Sequence, residues 1–192
     1  MAWQHLYLAS IFLASAISLL IAIYTFVRRS RTDSIIFAAM MLAISEYVLT
    51  SGLMSASSTP EKAMVWVDPH YFGLTMMLAF FIIFVIQYTG KDRWINKYTL
   101  TAIFSMPFIT QIIIETNSIH HWFIQDIQFT RDGILMGLTG IQYGGFFWFH
   151  SIYSYTLVLA GIGMLAHKSI RSFKLFRMQS ILLLLSILPP LL

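Results

Sequence analysis

Residues 6–27 read LYLASIFLASAISLLIAIYTFV, and Arg28, Arg29 and Arg31 follow at once. The run holds 22 residues without a charge. As a helix it would be about 33 Å long, enough for the ~30 Å hydrocarbon core of a bilayer. No basic residue precedes it and three arginines follow, so it reads as a retained span and not as a cleaved signal. Four similar runs follow: Ser34–Met54, Tyr71–Tyr88, Tyr98–Ile114 and Phe146–Ala166. A sixth, Ile181–Leu192, has 12 residues and ends with the chain, too few to cross. It reads as a span cut short. The expected fold class is an all-α integral membrane bundle of about six spans.

Composition agrees. Of 192 residues, 58% are hydrophobic and 10% are charged, against about 25% charged in a soluble domain. That excludes a disordered chain and an ordinary soluble enzyme. The absence of cysteine excludes disulfides, Cys-ligated zinc and iron–sulfur clusters. No repeat, linker or soluble segment divides the chain, so residues 1–192 read as one transmembrane domain that is incomplete at its C-terminus.

Lysine and arginine set the orientation. The links after the first, third and fifth spans hold Arg28, Arg29, Arg31, Lys91, Arg93, Lys97, Lys168, Arg171, Lys174 and Arg177. These are ten of the twelve basic residues. The other side has only Lys62 and Arg131, with Glu61, Asp68, Glu115, Asp126 and Asp132. The expectation is a multi-pass protein of the cell membrane with its N-terminus outside. The net charge therefore speaks of a lipid surface, not of nucleic acid. The basic stretch His167–Gln179 reads as a positive-inside loop, or as a segment lying on the anionic inner leaflet.

Glu115–Gly145 is the one long link. Trp122–Phe129 alternates as a strand, Thr130–Gly133 reads as a turn and Ile134–Tyr143 as the return strand, so an outer β-hairpin is expected. The polar loop Ser55–Val67 carries Trp66, a candidate interface anchor. Ser10, Ala14, Ser18 and Ala22 form a small-residue stripe on the first span. It suits packing inside the bundle, or a homodimer face. Pro107 predicts a kink in the fourth span.

Glu46 is the one carboxylate deep inside a span. It reads as a ligand contact or proton switch, or as an interior acid bonded to Tyr, Gln or His. His5, His70, His120, His121 and His150 all fall on the outer side. They fit a small polar ligand, a pH sensor, or an outer metal or haem site. They lack metal-ligand spacing, and interfacial hydrogen bonding is the plainer account. Glu46, His70, His120, His121, Trp122 and His150 are the candidate ligand-binding residues. No catalytic, cofactor or metal residue is assigned: no phosphate-cradling loop, nucleophile elbow or carboxylate pair is present. No lysine lies within a span, so a retinal Schiff base has no anchor here.

Three ordered motifs carry a resemblance. Tyr88-Thr89-Gly90-Lys91 with Trp94 follows the third span, Thr116-Asn117 with His120 follows the fourth, and Arg177-Met178-Gln179 leads into a leucine run ending Pro189-Pro190. In order, spacing and sidedness the chain resembles the N-terminal seven-helix sensor region of histidine kinases. The resemblance implies a membrane input domain for two-component signal transduction. It implies a seventh span, then cytoplasmic kinase domains binding ATP beyond residue 192, and a response regulator as downstream partner. The alternative is a transporter or channel fragment, against which stand the single buried charge and the lack of an inverted repeat. A haem or quinone electron carrier and a structural subunit are further rivals.

Overall fold

The computed structural model describes residues 2–28 and 32–171. In chain order the elements are α1 (Ala2–Val27), α2 (Thr32–Ser55), α3 (Pro60–Met64), α4 (Val67–Tyr88), α5 (Lys97–Glu115), α6 (Asn117–His120), β1 (Ile124–Asp132), β2 (Leu135–Tyr143) and α7 (Gly145–Arg171). A single 3₁₀ turn, Asp92–Trp94, lies between α4 and α5. Among the described residues, five helical stretches are long and apolar enough to cross a bilayer: α1, α2, α3 with α4, α5 and α7. Each contains one of the first five apolar runs. The sixth run, the predicted truncation and most of the basic stretch after His167 lie outside the described residues. The start of that stretch continues α7 to Arg171.

Helix α4 is the hub. Half of its apolar window is buried, against 11% for α1. Helices α2, α5 and α7 pack on α4, and α1 packs on α2. Two apolar clusters divide the core lengthwise. Val67, Tyr71, Ile114, Phe123 and Ile124 lie at the end that carries the hairpin. Ala79, Ile82, Ile83, Ile86 and Ile103 fill the other half. Leu13, Leu20, Ile23 and Tyr24 of α1 are exposed. Such a face is a liability in water but ordinary against lipid.

The α1–α2 seam differs from the small-residue stripe. Ser10 and Ala14 face outward, and only Ser18 and Ala22 of the stripe turn inward. The seam is centred instead on Ser15, whose hydroxyl donates to the Ser45 carbonyl at 2.9 Å, while Ser45 returns the same bond to the Ser15 carbonyl at 2.9 Å. Two short side chains that hydrogen-bond across the seam let the backbones approach.

Helix ends follow local chemistry. Asn96 caps α5, its Oδ1 accepting from the N–H groups of Tyr98 and Thr99. Thr59 caps α3 with Pro60 just inside, so the polar loop Ser55–Val67 contains a helical turn. Trp66 is half-buried at its junction with α4. At the end of α4, Gly90 takes a φ of +74°. The Gly90 N–H bonds the Gln87 carbonyl and the Lys91 N–H bonds the Ile86 carbonyl. This paired pattern, the Schellman motif, stops a helix where a residue adopts the left-handed conformation. Pro107 sits inside α5 and offers no N–H to the carbonyl of Ile103, four residues back. The Tyr153 hydroxyl of α7 donates to that carbonyl instead.

The hairpin is present, with a shifted turn. Asp132 pairs with Leu135, so the turn is Gly133-Ile134 and not Thr130–Gly133, and β1 begins at Ile124 rather than Trp122. Gly133 has a φ of +61° and Ile134 does not share the positive sign. That places glycine at the first central position of a type II′ turn, whose twist matches the flanking strands. Bulges at Gln125 and Thr139 interrupt the register.

Candidate functional site

The hairpin lies against the bundle and is tied to it at three places. At its root, Asn117 accepts from the N–H groups of Phe123 and Ile124 and donates to the Ile124 carbonyl at 2.7 Å. At its tip, Gln4 of α1 donates to the Asp132 carbonyl at 2.9 Å. Gln4 Oε1 accepts from Ile134 N–H at 3.4 Å. Beside the tip, Arg131 donates to the Ser58 carbonyl at 3.0 Å. The loop between α5 and α7 thus reaches back to the first helix.

Under this strap an aromatic chain crosses the bundle. Tyr47 stacks on His70 at 4.4 Å, His70 meets Tyr71 edge-on, and Tyr71 meets Phe123 at 5.0 Å. Phe123 in turn touches Phe147 and His150. Phe123 is fully buried. A cavity of about 300 Å³ opens beside this chain. Its walls come from α2, α4, both strands and α7.

The six predicted ligand-binding residues do not form one cluster. His70 lines the cavity, and its Nδ1 lies 3.4 Å from the Thr50 hydroxyl. His150 is buried one aromatic ring away. Thr110 of α5 engages its Nδ1 at 3.0 Å and Ser154 of α7 its Nε2 at 3.1 Å. Both ring nitrogens are therefore occupied, and the Thr110 bond fastens α5 to α7. Glu46 faces α4. Its Oε2 is buried against the backbone of Gly73, and among the described residues no side-chain donor reaches it. A Cβ on residue 73 would stand 1.8 Å from that oxygen, so glycine makes room for the acid.

His120, His121 and Trp122 stand apart at the hairpin root. The Thr116 hydroxyl donates to the Ile112 carbonyl, so His120 Nε2–H must donate to Thr116, at 3.0 Å. His120 Nδ1 then accepts from Trp122 N–H at 3.0 Å. These bonds assign His120 as the neutral Nε2–H tautomer. His121 is exposed with a φ of +54°. Trp122 is exposed beside the His120 ring. Among the described residues no three His, Cys, Asp or Glu side chains converge to hold a metal.

Sequence reasoning missed Tyr47, Tyr71, Phe123, Tyr143 and Phe147. Their signal was faint: aromatic residues near span ends are ordinarily read as interface anchors. Two of the three quoted motifs are architectural here. Thr116-Asn117 with His120 builds the hairpin root, and Gly90 terminates α4 while Lys91 sits 4.4 Å over the Trp94 ring. The third motif lies outside the described residues.

The family model for the N-terminal 7TM region of histidine kinase matches residues 10–192. No curated protein and no solved structure matches the chain.

Proposed function

We propose, because the chain belongs to the family of N-terminal 7TM regions of histidine kinases, that it receives an outer or in-membrane signal and passes it to a cytoplasmic output domain. The family match over residues 10–192 carries this reading. The family implies a membrane input region, and catalysis belongs to a kinase part beyond residue 192 that binds ATP and serves a response regulator.

Charge supports the orientation. The hairpin end holds Glu61, Asp68, Glu115, Asp126 and Asp132, while Arg28, Lys91, Arg93, Lys97 and Lys168 lie at the opposite end. By the positive-inside rule the hairpin and the N-terminus are outside. The input site is the hairpin end of the bundle, where α2, α4, α7 and both strands meet. A signal that binds one packing of these elements better shifts the population toward it. A tenfold shift needs about 1.4 kcal/mol of differential affinity. His70 stands at the ligand. Glu46 and His150 hold α2 and α5 to α4 and α7, and His120, His121 and Trp122 set the hairpin root. A second copy of the chain along α1 remains part of this proposal.

The test uses the full-length parent protein, with autophosphorylation as readout. Replacing Glu46 and His150 together by alanine is expected to abolish the response to signal while the protein still inserts. An unchanged response removes the input role of this end. Solute flux through proteoliposomes of the complete protein would instead identify a transporter.

A further inference from the structure

The cavity between hairpin and bundle has a definite chemistry. None of its lining residues is Asp, Glu, Lys or Arg. Most of the wall is apolar, Leu74, Ile127 and Phe147 included, and Tyr143 stacks on Phe147 at 3.6 Å. The polar side chains of the lining are His70, Tyr71 and Tyr143. Tyr71 and Tyr143 both line the cavity, and the His70 ring lies edge-on beside Tyr71. An ion placed here would lose its hydration with no counter-charge to replace it. An apolar body with one hydrogen-bonding group would keep its polar end at the tyrosines and its remainder against aromatic walls. An apolar cavity of about 150 Å³ holds benzene, so about 300 Å³ suits a substituted ring.

We propose that this cavity binds an uncharged aromatic amphiphile of substituted-phenol size, held by Tyr71, Tyr143 and His70 beneath the β-hairpin. The occupant touches α4 and both strands together, so its presence couples the hairpin to the hub helix. The proposal rests on the sensor reading for its biological use, but binding is measured without any kinase output. Failure of one is therefore distinguishable from failure of the other.

The probe is 4-propylphenol, with 4-propylbenzoate as an anion of matching shape. Saturation-transfer NMR would follow each with the full chain in lipid nanodiscs, with empty nanodiscs subtracted. The expected result is saturable binding of the phenol, at least about tenfold tighter than the benzoate. Tyr143→Phe keeps the ring stack and should weaken the phenol about fivefold. Leu74→Trp fills the cavity and should remove the saturable component. Leu138→Trp, at the half-exposed rim on β2, should do the same without burdening the core. A signal that rises linearly, as partitioning into lipid does, overturns the proposal. So does equal binding of the anion, or saturable binding that survives both tryptophan variants in folded protein.

Discussion

Gly90 and Gly144 are glycines for different reasons, and substitution separates them. Around Gly90 a Cβ meets nothing within 4 Å, so only the φ of +74° resists a side chain. The left-handed conformation costs a non-glycine residue about 1 kcal/mol. At Gly144 a Cβ would stand 2.1 Å from the Trp122 carbonyl oxygen, a backbone atom that cannot swing aside. That carbonyl also accepts from Phe146 N–H and closes the hairpin base. Thermal unfolding in detergent should therefore rank the variants. Gly90→Ala is expected to lose about 1 kcal/mol, and Gly144→Ala about 3 kcal/mol or more. Equal losses would mean that the hairpin base relaxes freely. The motif containing Gly90 was legible as a boundary, because a glycine after an apolar run signals a helix stop. Gly144 was not legible, because its contact comes from a carbonyl 22 residues earlier in the chain.

At the scale of elements, two devices join parts of the chain that are distant in sequence. The first is the Gln4 clamp on the hairpin tip. Its amide serves both the Asp132 carbonyl and the Ile134 N–H, and Gln4 itself is buried. Gln4→Ala removes both bonds and should free the tip from α1 while leaving the root on Asn117. Hydrogen exchange at residues 133–135 should accelerate about tenfold, with the root amides of Phe123 and Ile124 unchanged. Acceleration at both places would make the hairpin a single cooperative unit. The second device joins α5 to α7. Pro107 strands the Ile103 carbonyl, and the Tyr153 hydroxyl takes it up. Tyr153→Phe should cost about 0.6–1.7 kcal/mol, the range for such bonds in membranes. In a Pro107→Ala background the helix regains its own donor and the cost should fall below about 0.5 kcal/mol. A double-mutant cycle reads the difference, and strict additivity would sever the two residues. The sequence made the proline visible but not its partner. Apolar length and flanking charge locate helices, whereas pairing between them depends on side chains brought together only by the fold. The hairpin turn slipped for a more local reason. Asp132-Gly133 marks a turn, but glycine at its first central position lets β1 run on through Asp132.

For the whole molecule the sidedness of the hairpin follows from the direction of the helices. The helices alternate in direction, so α1, α2, α4, α5 and α7 bring the N-terminus, the α2–α4 link and the hairpin to one end. The Asp92–Trp94 turn falls at the other end. There Lys168 of α7 donates to the Tyr88 carbonyl and lies 4.3 Å from its ring. Helix α4 therefore lines the cavity at one end and meets Lys168 of the last described helix at the other. The absence of cysteine from the chain makes the arrangement directly measurable. Asp126 on β1 and Asp92 in the 3₁₀ turn are both exposed, so a cysteine at either position is open to reagent. In intact cells a membrane-impermeant maleimide should label Asp126→Cys at once and Asp92→Cys only after permeabilisation. The opposite pattern would place the cavity and its hairpin in the cytoplasm. The positive-inside argument would then fail for this chain, and the proposed external input at the end where the aromatic cavity lies would fail with it.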